Sequence, residues 1–127
     1  MVPFALLPRG QGFVIHVSQL ATHTKDMLSH STVSLLVVAT PSPEVPAQAL
    51  TRATMQGQAR QCPSDAPAYP EARHAYLSRF PQSAQMFGFA DFSLFIVVPD
   101  SVRFVGGFAQ ATTITAESFA RILSASA

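Results

Sequence analysis

Near the start of the chain the apolar positions fall in two short runs. Residues 2–7 are apolar and closed by Pro8. Residues 13–18 are rich in β-branched and aromatic side chains (Phe13, Val14, Ile15, Val17). Arg9-Gly10-Gln11-Gly12 between them is a glycine-rich turn, so the pair predicts a β-hairpin. The period changes over residues 19–30, where Leu20, Met27 and Leu28 share one face of a predicted helix. Thr22 or Thr24 is the expected cap, with Asp26 in the first turn. Residues 33–40 are almost continuously apolar and end at Pro41, the pattern of a strand buried on both faces.

After the proline-rich loop at 41–46, residues 49–60 predict a longer strand, with Gly57 as a bulge or close-approach point. Alternation there puts Arg52, Thr54 and Gln56 on a polar face and Ala53, Met55 and Gly57 on an inward one. A polar connection at 61–67 leads to a helix over 69–79, with Pro70 in its first turn. Phe80-Pro81 breaks it before a short helix at 82–87. Strands follow at 92–98, ended by Pro99, and at 102–105, ended by Gly106-Gly107. The last element is an amphipathic helix over 115–123, with Thr115 as N-cap and Phe119, Ile122 and Leu123 on one face. No repeat or linker divides the chain. Tight turns between successive strands predict antiparallel pairing in one domain over residues 1–127. The expected class is mainly β with peripheral helices (α+β), as a small barrel or sandwich.

Composition narrows the function. The chain has 127 residues, 48% hydrophobic and only 12% charged, with a net charge of +1. That excludes a disordered regulator and leaves no basic run for nucleic acid. No stretch approaches the roughly 20 apolar residues of a membrane helix. A lone cysteine, Cys62, excludes an internal disulfide or a multi-cysteine metal site, and no histidine is placed to make it a nucleophile. His16, His30 and His74 share no metal-ligand spacing and are read as structural or solvent-exposed. Residues 1–7 lack the charged start and long apolar core of a secretory signal, so the cytoplasm is expected. Low charge on a small apolar chain predicts a patch covered by a second copy, hence a homodimer.

The segment 18–28 carries a pattern. A strand ends in Ser18, then Leu20-Ala21 and His23-Thr24 lead into a helix, and the strand 34–38 follows. Asp91-Phe92 precedes a later strand, Gly106-Gly107-Phe108 closes the next, and residues 72–81 form an intervening helix. In this order the motifs resemble the pyridoxamine 5'-phosphate oxidase-like, FMN-binding split-barrel superfamily, and within it most of all the haem-utilisation-type branch. The resemblance covers residues 2–111. The family's usual opening helix and strand have no counterpart ahead of residues 2–7.

The resemblance implies a split barrel whose FMN lies between two copies, with redox chemistry carried by the flavin. It implies FMN-binding roles for five residues. Ser18 would donate to a flavin or phosphate oxygen. His23 and Thr24 would hold the phosphate at a helix N-terminus, with Lys25 beside them. Arg52 would reach the flavin from the long strand. Each has a plainer structural alternative: a turn serine, a capped surface helix, a solvent-facing lysine, an arginine at a dimer contact. No residue is required as a general base, so no catalytic residue is assigned. The expected function is an FMN-dependent oxidoreductase related to pyridoxamine 5'-phosphate oxidase. The alternative is a non-catalytic module that keeps the barrel and binds haem or another small planar ligand.

Overall fold

The computed structural model describes residues 1–106 and 110–125, so Gly107 and Phe108 of the expected closing motif lie outside the described residues. The strands are β1 (Ala5–Leu6), β2 (Phe13–Ser18), β3 (Thr32–Val38), β4 (Arg52–Cys62), β5 (Phe92–Val105) and β6 (Ala111–Thr115). The helices are α1 (Thr22–Ser29), α2 (Tyr69–Arg79) and α3 (Ala116–Ala125), with 3-10 turns at Pro8–Gly10, Ala47–Ala49 and Pro81–Gly88. All pairings are antiparallel, in the order β1-β2-β5-β4-β3, with β6 also on β5. The result is the expected α+β split barrel, a curled sheet with peripheral helices. No described helix is long and apolar enough to cross a membrane.

The first hairpin forms as its sequence predicts, with Ala5 opposite Val14 and Leu6 opposite Phe13. Its turn brings Gly10, at φ 65°, against α3. A β-carbon on Gly10 would lie 2.6 Å from the Ala120 Cα, which closes the position to any side chain.

β2 is buried on both faces. Phe13, Ile15 and Val17 join Met55, Ala59, Phe95, Val97 and Val102 inside the barrel. Val14 turns the other way, to Leu94, Cys62 and the Ala72 and Tyr76 of α2. The two-sided burial expected of residues 33–40 thus belongs to β2. β3 terminates the sheet and pairs only with β4, so it alternates: Val33, Leu35 and Val37 pack inward while Ser34, Leu36 and Val38 are exposed. Low polarity reported an apolar outer face there, not a covered one.

Pro99 does not end a strand. β5 runs through it, because the register passes from Gly57 opposite Pro99 to Gln56 opposite Ser101, leaving Asp100 as the extra residue of a bulge. A bulge tolerates a residue with no N–H to give the ladder. Gly57 is the other half of this device, since a β-carbon there would collide with the Val98 carbonyl oxygen. β4 starts three residues later than expected, after the 3-10 turn at Ala47–Ala49. Strand β6 was not anticipated, whereas the Thr115 cap was: its Oγ1 accepts the Ser118 N–H at 3.1 Å.

Candidate functional site

The barrel stays open between its two edges. One edge is β1, only two residues long. The other is β3, whose outer side carries no strand among the described residues. Between them lies a cleft of about 1160 Å³. Val2 and Phe4 line one wall, Val33, Leu35 and Val37 the other, and Ile15 and Val97 lie between. This volume exceeds the roughly 300–1,000 Å³ of pockets for drug-sized ligands, and the lining is as apolar as such sites usually are.

Polar groups enter from two places. Helix α1 brings His23 and Asp26 to the cleft, at a spacing of i and i+3 that keeps them on one helical face, and the extended residue after it adds His30. The end of α2 brings Arg79 and Phe80. Arg79 Nη1 donates to the Phe4 carbonyl oxygen at 2.7 Å. Its guanidinium lies 4.7 Å from the centroid of the Phe4 ring and 5.2 Å from that of Phe80. Among the described residues, no group of three or more His, Cys, Asp or Glu is arranged to hold a metal ion.

Of the five residues expected to bind a cofactor, only His23 lines this cleft. Ser18, at the end of β2, accepts the Leu20 N–H on its Oγ at 3.1 Å. Thr24 is fully buried, and its hydroxyl donates to the Ser18 carbonyl oxygen at 2.6 Å. Neither Thr22 nor Thr24 caps α1; Ala21 occupies the cap position with no side-chain bond. The backbone N–H groups of Thr24 and Lys25 both turn back to the Ala21 carbonyl, at 3.1 and 3.3 Å. Lys25 is exposed and outside the cleft lining. Arg52 Nη1 donates to the Gln48 and Leu50 carbonyl oxygens, each at 3.2 Å, which ties it to the turn before β4. Its expected alternation holds, since Met55, Gly57 and Ala59 are buried while Thr54 and Gln56 are exposed.

Two histidines read as structural or exposed differ from each other. His30 is exposed and lines the cleft, placed there by the turn from α1 into β3. His16 is buried in an aromatic cluster with Tyr76, Phe87 and Phe92, on the far face of β2. Burial lowers its pKa below the ordinary value. Cys62 is buried too, and burial raises its thiol pKa, which opposes the thiolate a nucleophile needs.

Comparison with known proteins adds to this geometry. The sequence profile of the family described as CREG, beta-barrel, matches residues 9–121. A curated relative from Arabidopsis thaliana, the chloroplastic non-canonical heme oxygenase HOZ, is 36% identical over 111 residues, covering 87% of this chain and 32% of the relative. The structure of a heme binding protein from Mycobacterium smegmatis superposes with a TM-score of 0.82 at 30% identity, covering 94% of this chain and 47% of that one. ChuZ from Campylobacter jejuni shares the fold at 16% identity, with a TM-score of 0.74 over 92% of this chain and 48% of its own. The chain therefore spans about a third of the length of the curated relative it matches and about half of each of these two structures.

Proposed function

Because the chain belongs to the CREG β-barrel family, we propose that it is a non-catalytic split-barrel module that binds haem in the open cleft. The observation that carries this reading is the cleft between β1 and β3, an apolar slot with two imidazoles and a guanidinium among its lining residues. These groups fit the ligand. Its macrocycle calls for apolar walls, its iron for an axial nitrogen, and its carboxylates for a cation. The names of two relatives, 36% and 30% identical, support the choice of ligand.

When bound, haem would supply an iron open to axial ligation. Val33, Leu35 and Val37 would exclude water from one face of the macrocycle, and Val2 and Phe4 from the other. His23 of α1 and His30 just after it are the nitrogen donors among the lining residues. The test is a haem titration followed by the Soret band, in the wild type and in His23→Ala and His30→Ala. Uptake at one equivalent per chain, with the band shifted by one of the two substitutions, is expected. A wild type that produces no Soret shift overturns the proposal.

The flavin reading has less support. Its five residues do not line one site in the chain. The Thr24 hydroxyl is spent on the Ser18 carbonyl, and Arg52 is spent on the turn at Ala47–Ala49. We propose further that the protein is a homodimer. Support comes from the outer face of β3, where Leu36 and Val38 are 63% and 44% exposed on an edge strand. Unpaired apolar edges of this kind call for cover.

A further inference from the structure

Among the described residues, Arg79 is the one arginine or lysine lining the cleft. Among the described residues its guanidinium has no carboxylate within ion-pair distance. Of its five N–H donors, one bond is made, from Nη1 to the Phe4 carbonyl oxygen at 2.7 Å. The Phe4 and Phe80 rings hold the group at 4.7 and 5.2 Å from their centroids. A cation held against two aromatic rings keeps its charge while losing freedom of orientation. Its unused donors form a planar fork, and the group that matches such a fork is a carboxylate or a phosphate.

We infer that Arg79 takes a carboxylate of the ligand and so makes the cleft selective for tetrapyrroles that carry free acid groups. The inference rests on the haem reading above and deepens it. The cleft's apolar walls recognise any macrocycle of suitable shape. Arg79 adds the discrimination between an acid and its ester, which differ at the edge of the ring and not in the ring itself. The tether to Phe4 serves the same end, because it fixes the guanidinium beside the cleft wall before the ligand arrives.

The experiment compares haem with haem dimethyl ester in the wild type, Arg79→Gln and Arg79→Lys, each titrated by absorbance. Arg79→Gln retains an N–H donor for the Phe4 carbonyl and removes the charge. The wild type should prefer the acid by about tenfold or more, the scale of one charge-assisted hydrogen bond. Arg79→Gln should lose that preference while binding the ester as the wild type does, which also shows that the cleft is intact. Arg79→Lys should keep part of the preference, since it has the charge without the fork. Equal binding of acid and ester by the wild type overturns the role of Arg79 and leaves the haem reading standing. A preference that persists in Arg79→Gln does the same. Failure of the wild type to bind either compound overturns both.

Discussion

His16 lies flat against Phe87: their ring centroids are 4.0 Å apart and their planes differ by 8°. Tyr76 meets the same imidazole edge-on at 5.7 Å, and Phe92 stands at 5.3 Å. These contacts tie β2 to α2 and to the 3-10 turn at Pro81–Gly88. Arg73 lies at the edge of this cluster, 5.2 Å from the Phe87 centroid. It gives a protonated imidazole no counter-charge.

Burial lowers the His16 pKa from its ordinary 6.5. Below that value the unfolded chain binds a proton here that the folded chain refuses. The stability from a neutral His16 is therefore complete above about pH 6.5. It declines as the pH falls from there through the lowered folded value, and is constant below it. We expect the urea midpoint of the wild type to fall between pH 7 and pH 5 more steeply than that of His16→Phe, which keeps the ring stack and cannot titrate. Parallel curves for the two proteins would show that His16 does not carry the dependence.

Gly57 and Pro99 form one device and should respond as one. Gly57→Ala places a β-carbon against the Val98 carbonyl in the middle of the longest strand pair. Overpacking of this kind costs about 1–3 kcal/mol, and backbone on the far side leaves little room to yield. Gly88→Ala is the control, because nothing lies within 4 Å of its added carbon. Denaturant unfolding should separate the two. Equal midpoints would mean that the bulge relaxes freely.

The same pair shows what the sequence could carry. Residues 13–18 and 69–79 announced β2 and α2 at their true boundaries, because local pattern and burial agree there. Gly57 was legible as an irregularity, since a glycine inside a strand asks for a reason. Pro99 was misread as a stop because its effect depends on the partner strand: opposite Gly57 the ladder is already broken. β6 carries threonines on exposed positions and has no apolar alternation to announce it. The cleft was the least legible feature. Its walls come from residues 2–4 and 33–37, joined only by curling of the sheet, and no local window contains both. His30 was set aside for lack of metal-ligand spacing to another histidine, although the haem proposed for the cleft would need only a single nitrogen donor.

Thr24 tests whether α1 was built for a phosphate or for the fold. Its hydroxyl is fully buried and donates to Ser18. Thr24→Val keeps the volume and removes one of two bonds to the Ser18 carbonyl, the Ala21 N–H remaining at 3.2 Å, at a cost of about 0.5–1.5 kcal/mol. The midpoint of unfolding should drop while haem affinity in the folded protein stays unchanged. A loss of ligand affinity with undiminished stability would return Thr24 to the binding site.

The last expectation concerns the outer face of the sheet. In register across three strands, Val38 pairs with Arg52 and Arg52 with Val105, and Leu36 pairs with Thr54 and Thr54 with Arg103. Two exposed apolar side chains, one of them paired with Arg52, thus lie on an edge strand whose outer side has no partner strand among the described residues. A second copy laid on this face would cover Leu36 and Val38 and would give Arg52 a partner chain to meet, the role its polar face suggested. Sedimentation velocity at micromolar concentration should find a dimer. Leu36→Glu should dissociate it, because a buried carboxylate beside the symmetry-related copy has no assured counter-charge. Its circular dichroism should match the wild type, since Leu36 is 63% exposed within its own chain. A wild type that sediments as a monomer would remove the homodimer, and a dimer untouched by Leu36→Glu would move the interface to another face.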